Sequence, residues 1–571
     1  MILAAEILMA GLLVLLAPLT RADEPAAMRF TDAGKRAGID YVNVCGASLG
    51  QKGWLSESLG AGAAWLDYDG DGNLDLFLVN GSTYEREIGR GEPNRLFRGD
   101  GTGRFVDVTE QAAVGDRGWG LGVAVADYDN DGDPDIYVTN FGPNKLYRNN
   151  GDGTFSDVTE QAGVGDDRLS TGAAFFDMEG DGDLDLYVGN YMLSDPTRVP
   201  RAGSDEARKA NCQYRGIPVA CGPLGQVPLA DALYRNNGDG SFDRVSMAAG
   251  IALGTPRFTL GVVSGDYDND GDTDLYVAND SVENTLWQNQ GDGTFIDVGL
   301  VTLSALNVDG RPQAGMGTDF GDYNGDGWLD LVVTNFSQDY NTVYRNVGGK
   351  YFADDSGALG LYATQLALSW GIGFHDFDRD GDVDLFIANG HIYPEIDNYA
   401  GGNRFRQKNQ IFRNDGDGFV DVSAMAGAGL AIERSYRGAA FGDYDNDGDM
   451  DVYLTALQER GLLLRNDTPT TGHWLEVRLI GTRSNRDGIG ARVNLTASGR
   501  RQLRERKGGG SYLSSGDPRL HFGLGASTLV DLLEVRWPSG ARDILRAIPV
   551  DRQITIREGE GLVVSAASPA P

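Results

Sequence analysis

Residues 127–135 read Asp127-Tyr128-Asp129-Asn130-Asp131-Gly132-Asp133-Pro134-Asp135, and the same acidic nonapeptide returns with first residues Asp67, Asp177, Asp266, Asp322, Asp376 and Asp443. The gaps between copies are 60, 50, 89, 56, 54 and 67 residues. Self-similarity at a period of this size is the mark of a repeat architecture in which each unit forms one small sheet. The second unit, GLGVAVADYDNDGDPDIYVTNFGPNKLYRNNGDGTFSDVTEQAGV, spans residues 120–164. Its small apolar stretch at 120–126 predicts a tightly packed inner strand, followed by strands at 135–139, 145–148 and 155–158. Four antiparallel strands per unit without helical periodicity describe a propeller blade, so the predicted fold is all-β: a seven-bladed β-propeller with a C-terminal β-sandwich-like domain.

The acids fall at positions 1, 3, 5 and 9, with Asn324 in place of the acid at position 3 of the fifth copy, and position 6 is always glycine. Calcium takes six to eight oxygens in a flexible shell, supplied by alternate residues of a loop with a glycine at its sharp turn. The predicted ligands are Asp67, Asp69, Asp71 and Asp75; Asp127, Asp129, Asp131 and Asp135; Asp177, Glu179, Asp181 and Asp185; and Asp266, Asp268, Asp270 and Asp274. The remaining three sets are Asp322, Asn324, Asp326 and Asp330; Asp376, Asp378, Asp380 and Asp384; and Asp443, Asp445, Asp447 and Asp451. Position 7 varies from Asn73 to Trp328, as expected if only its backbone carbonyl is used. The loops lack the position-12 glutamate of an EF-hand and run into strand patterns, which excludes EF-hand pairs. The expected cofactor is Ca²⁺, up to seven ions.

Charge follows the loops. The chain has 49 basic and 83 acidic residues, net −34. Seven calcium ions would bring that to about −20. So acidic a chain is a poor match for nucleic acid, whose phosphates want clustered Lys and Arg. Residues 472–560 differ: mildly basic with strand-like alternation at 473–480, 491–496, 530–536 and 553–556, they predict a compact β domain that docks on the acidic propeller.

The propeller predicts its own closure. A phenylalanine opens the fourth strand at Phe105, Phe155, Phe242, Phe295, Phe352 and Phe419, but none follows Arg465-Asn466. The missing strand is found at Arg29-Phe30-Thr31-Asp32, so the N-terminal strand is expected to complete the seventh blade and remove an open edge.

Together these blocks resemble FG-GAP/VCBS repeats, the module of integrin α-chain propellers, over residues 28–470. From 472 to 560 the chain resembles the ASPIC/UnbV domain, on Gly488-Ile489-Gly490-Ala491, Gly510-Ser511-Tyr512-Leu513, the Asp517–Gly525 block and Glu534-Val535-Arg536-Trp537-Pro538-Ser539-Gly540. The combination is similar to the cartilage acidic protein family, as are CQYRGIPVACGP and Asn389-Gly390-His391-Ile392-Tyr393-Pro394. The resemblance implies a calcium-binding adhesion or protein/glycan interaction module with no catalytic centre to carry over. A carbohydrate-active enzyme of polysaccharide-lyase type on the same scaffold, or a non-catalytic envelope assembly factor, are the alternatives.

The termini and cysteines bear on location. The apolar run 7–16 followed by Thr20-Arg21-Ala22 predicts a signal peptide over 1–22, and residues 561–571 are expected to be a disordered tail. Export leaves no transmembrane span and places the protein as secreted, periplasmic or cell-surface and monomeric, with an extracellular or envelope protein or glycan as partner. In an oxidising compartment Cys212 and Cys221 are expected to form a disulfide, leaving Cys45 free. Between Met192 and Asp231 an insertion breaks the blade rhythm and offers a partner loop. Gly46-Ala47-Ser48-Leu49-Gly50 matches a nucleophile-elbow pattern without its strand-turn-helix context. Arg98-Gly99-Asp100 occupies the slot read as Arg148-Asn149-Asn150 in the next repeat and is taken as a turn. Among the four histidines, His375 is expected to pack on an inner strand.

Overall fold

The structure, a computed structural model, describes residues 27–567 apart from 87, 88, 400, 417 and 470; the expected signal peptide lies outside the described residues. Seven four-stranded antiparallel sheets form the blades. In the second, Gly120–Ala126, Asp135–Asn140, Lys145–Asn149 and Phe155–Asp157 run from the inner strand outward, within two residues of the sequence reading at every boundary. The seventh sheet combines Tyr436–Gly442, Asp451–Ala456 and Leu462–Asn466 with Phe30–Asp32, in the register Phe30↔Asn466, Thr31↔Arg465 and Asp32↔Leu464. An Arg460–Asp32 ion pair of 2.9 Å braces the same joint.

Each blade buries apolar side chains against the next. Leu66, Phe77 and Val79 of blade 1 pack on Val123, Ile136 and Val138 of blade 2, and Tyr444, Tyr453 and Leu463 of blade 7 meet Trp65 and Leu76 of blade 1. A recurring asparagine at the end of the third strand adds a polar latch. Its Nδ2 donates to the carbonyl of the second loop residue of the preceding blade: Asn149 to Tyr68 (2.8 Å), Asn236 to Tyr128 (2.8 Å), Asn289 to Met178 (2.9 Å), Asn346 to Tyr267 (2.8 Å), Asn414 to Tyr323 (2.9 Å) and Asn466 to Phe377 (2.9 Å). At the ring seam the same strand position is Gly99, which has no side chain to reach Tyr444. There the stacking of Trp65 on Tyr444, centroids 6.0 Å apart, holds blade 7 to blade 1.

Residues 473–567 form two four-stranded sheets around a core that includes Leu475, Val493, Phe522, Leu533 and Trp537. His473–Ile480 pairs in parallel with Arg552–Arg557, an arrangement the alternation alone does not reveal. Arg500–Glu505 and Arg542–Pro549, whose charged residues obscure their alternation, are strands as well. The expected tail needs correction. Gly561–Ala567 is not disordered but pairs antiparallel with Arg552–Arg557, and Leu562, Val563 and Val564 give that edge strand its β propensity.

The C-terminal domain fills the propeller's central channel with residues 507–517. Gly510 N donates to Val262 O, Thr318 N to Ser511 O, Val123 N to Leu513 O, Trp65 N to Ser515 O and Asp517 N to Phe441 O, so this segment pairs in turn with inner strands around the ring. Close approach dictates its glycines: a Cβ on Gly508 would lie 1.8 Å from Phe175 O. Tyr512 is wholly buried, with its hydroxyl donating to Leu59 O at 3.1 Å.

Losing one latch leaves two carbonyls short of a donor inside a blade interface. Asn289→Ala is therefore expected to lower unfolding free energy by about 1–3 kcal/mol, and Asn237→Ala, at an exposed turn, by less than about 0.5 kcal/mol. Urea denaturation checks both; equal effects would remove the latch from the account.

Candidate metal sites at the strand bends

Every acidic nonapeptide joins an inner strand to the second strand of its blade, so the loops form a ring on one face of the propeller. Two left-handed residues shape each loop. Position 4 has positive φ in all copies (Gly70, Asn130, Gly180, Asn269, Gly325, Arg379 and Asn446), as does the glycine at position 6. The first carboxylate accepts the amide of that glycine, from Gly381 N to Asp376 Oδ2 at 2.7 Å to Gly72 N to Asp67 Oδ2 at 3.2 Å.

Position 9 anchors the loop. Asp75, Asp135, Asp274, Asp330, Asp384 and Asp451 are fully buried. One oxygen accepts the amide at the end of the third strand, as from Asn149 N to Asp135 at 2.7 Å and Asn346 N to Asp330 at 2.7 Å. The other, in all loops but the seventh, accepts the amide of position 2, as from Tyr128 N to Asp135 at 3.1 Å. A carboxylate oxygen has two acceptor sites, so these bonds orient the group while leaving lone pairs toward the loop centre.

A cation fits what remains. Five loops bring three carboxylate oxygens within 4.8 Å of one another: Asp67, Asp69 and Asp71; Asp127, Asp129 and Asp131; Asp266, Asp268 and Asp274; Asp376, Asp378 and Asp384; and Asp443, Asp445 and Asp451. In these loops Oδ1 of Asp67, Asp129, Asp268, Asp376 and Asp445 is buried and accepts no hydrogen bond. A buried carboxylate oxygen without a donor is costly unless a cation takes it. The third and fifth loops, with Glu179 and Asn324 at position 3, do not gather three acids in this way among the described residues. All-oxygen donors are the set that suits a hard divalent cation.

Burial pushes the carboxyl of Asp75 up to about 8 and those of Asp127 and Asp266 up to about 7. Neighbouring carboxylates raise Asp127 further, whereas Arg492 pulls Asp266 back.

The C-terminal domain covers this face. Arg478 lies 3.3 Å from Asp67, Arg492 lies 3.7 Å from Asp266, Arg500 pairs with Asp382, and Arg519 donates to Asp443 O at 2.6 Å. Asp127 N and Asp266 N donate to Asp487 and Glu505 at 2.9 and 3.1 Å. The basic domain is thus held by arginines on the acidic loops as well as by its plug.

The other sequence candidates fall elsewhere. Ser48 Oγ donates to Gln51 on an exposed loop. Gly99 N is tied to Asp75 at 2.9 Å and Asp100 folds back on Thr102 and Arg104, as a repeat turn does. His375 ends an inner strand against Phe441, and His391 and His521 are buried with burial pushing both down to about 3. Cys212 and Cys221 are disulfide-bonded, and Cys45 is free and buried. Tyr393 is buried against Tyr214 of the insertion and His391.

At the opposite face the inner strands open on a cavity of about 720 Å³. Its walls include Leu55, Tyr191, Leu260, Trp370 and Tyr393, together with the disulfide-stapled insertion around Tyr214 and Leu224. The sequence singled out that insertion but not its cavity, because the opposing wall is assembled from five blades.

A profile described as FG-GAP-like repeat matches residues 67–138, 127–188, 224–277, 266–333, 322–387 and 396–454, and one described as ASPIC and UnbV matches 481–563. Cartilage acidic protein 1 of Xenopus tropicalis is 28% identical over 324 residues, covering 56% of this chain and 47% of that protein. The Mus musculus protein is 27% identical over 303 residues, covering 50% and 43%. The chain thus spans less than half the length of these curated relatives. A solved Agrocybe aegerita lectin, described for its recognition of non-reducing terminal N-acetylglucosamine, aligns with a TM-score of 0.38 and 18% identity over 70% of this chain and 86% of its own.

Two outcomes are expected. Chelation should lower the melting temperature and added calcium restore it; an unchanged calorimetric trace would deny the loops a stabilising cation. Without cations, carboxyls held above the unfolded-chain value near 4 make the folded state the better proton binder. The melting temperature of the chelated protein should therefore rise as pH falls from about 8 to about 5. Saturating calcium, which needs the ionised form, should abolish or reverse that slope. A chelated protein that loses stability on the same acid titration would contradict the assignment.

Proposed function

The chain belongs to the FG-GAP-like repeat family and ends in an ASPIC and UnbV domain, and from that premise we propose that it is an exported interaction module, stiffened by calcium, whose partner docks at the open mouth of the propeller. The observation that carries this reading is the asymmetry of the two faces. The acidic loops lie under the C-terminal domain, whereas the mouth is a cavity of about 720 Å³ walled by aromatic residues and a stapled insertion. A rigid scaffold with a concave, largely apolar site built from loops is the usual form of a binding surface.

Export is supported by the disulfide, by loops of a kind that millimolar extracellular calcium keeps loaded, and by relatives named for cartilage. Among the described residues no helix is long and apolar enough to cross a membrane. The metal ligands of this reading are the carboxylates of the seven loops, and calcium acts on strand bends rather than on a partner. Residues 28–470 and 472–560 then divide the labour: the first carries the mouth, and the second closes the channel and shields the loops.

A panel of glycans and secreted proteins, screened with and without calcium, tests the reading. Binding should fall at least tenfold in Tyr214→Ala and Leu224→Glu, at the mouth, and remain in Val106→Glu on an exposed outer strand. A ligand insensitive to both mouth variants, or cleavage of any glycan in the panel, would overturn it.

A further inference from the structure

Within the mouth, one acidic group lacks a cationic partner. Asp280 follows the second strand of blade 4 and lines the cavity. Its Oδ2 accepts the hydroxyl of Tyr191 at 2.6 Å and its Oδ1 that of Ser281 at 2.8 Å. No lysine or arginine among the described residues forms an ion pair with it. Arg198, a cation that lines the cavity from the insertion, pairs instead with Asp195 at 3.3 Å. Backbone geometry reinforces the arrangement: Ser281 is held at φ +63°, a left-handed conformation unfavourable for a residue with a Cβ, and that turn sets its hydroxyl on the carboxylate.

Hydroxyl donors alone compensate a half-buried carboxylate poorly, whereas an opposite charge compensates it well. Burial raises the Asp280 carboxyl, with only the Tyr191 and Ser281 hydroxyls drawing it back. Tyr191, Tyr393 and Tyr512 of the plug are close enough to feel its charge. Their rings are buried, so the attraction for a cation comes from the carboxylate itself, and the Trp370 ring already carries the guanidinium of Arg437, 4.1 Å from its centroid.

We propose that the propeller mouth is a receptor for a cationic side chain, and that a lysine ammonium or arginine guanidinium of a partner peptide seats on Asp280. The alkyl stem then lies along the accessible apolar lining of the same cavity, Tyr214, Leu224 and Phe336. This rests on the mouth being the docking face and adds the chemistry of what docks there.

Titration calorimetry on the full chain tests it, with acetyl-lysine-amide and acetyl-arginine-amide as probes, acetyl-norleucine-amide as the uncharged isostere and N-acetylglucosamine as an uncharged polar ligand. The cations should bind at least tenfold more tightly than either control, and the affinity should fall with added salt. Asp280→Asn, which keeps acceptor and shape, should lose that tenfold with a melting temperature within a few degrees of the parent. Tyr191→Phe should retain most of the preference for cations. Norleucine amide binding as well as lysine amide, or Asp280→Asn leaving cation affinity unchanged, overturns the inference. If an uncharged ligand binds and is lost in Tyr214→Ala but not in Asp280→Asn, the mouth remains the docking face and the cation assignment falls. Absence of binding by all four probes, together with a blank glycan and protein panel, would remove both.

Discussion

The fold depends on burying carboxylates at the bend of every blade. Asp135 and its counterparts at position 9 are sealed from water, and each takes one backbone amide from the end of the third strand, which fixes where the second and third strands meet. The same loops hold further acids beside them, with buried oxygens that no donor reaches. Such clusters repel, and the cost of burying several charges together exceeds what single amide bonds offset. A divalent cation in such a loop would turn that repulsion into a crosslink between consecutive strands. The inter-blade asparagines then carry the constraint around the ring, because each donates to the backbone of the preceding loop.

The two ends of the channel follow from this. On the loop face the C-terminal domain supplies arginines to an acidic surface and sends residues 507–517 down the channel, so the central cavity of an ordinary propeller is largely filled from within. Toward the far end the plug places Tyr512 and Leu513 in one core with Trp370 and Leu260, two residues that line the mouth. A domain that both shields the metal loops and sets the depth of the mouth links the stability of the scaffold to the shape of its site.

Much of the architecture was legible because it is written locally. The acidic loops, the small inner strands and the outer-strand phenylalanines recur in every unit, and the displaced copy at Phe30 is enough to foresee how the ring closes. What escaped reading depends on contacts between distant segments. Nothing in GGGSYLSSG announces a plug, although Gly508 and Gly509 are the trace left by close backbone approach. The asparagine ending each third strand, absent only at Gly99, was a repeat signal that turn propensity explained equally well. Asp280 carries no motif at all; its role emerges only where blade 4, the insertion and the plug converge. Gly561–Ala567 was misjudged because a short apolar strand at a chain end looks like a tail until its partner, Arg552–Arg557, is known.

The central claim is that divalent cations occupy the strand bends and hold the ring together. Native mass spectrometry of the full chain, exchanged from millimolar calcium into volatile buffer, counts those ions directly. The account predicts at least five retained calcium ions, one for each loop in which three acids converge, all lost after chelation with a shift to more highly charged, unfolded ions. A chain that carries no calcium and keeps the same compact charge distribution after chelation would contradict it.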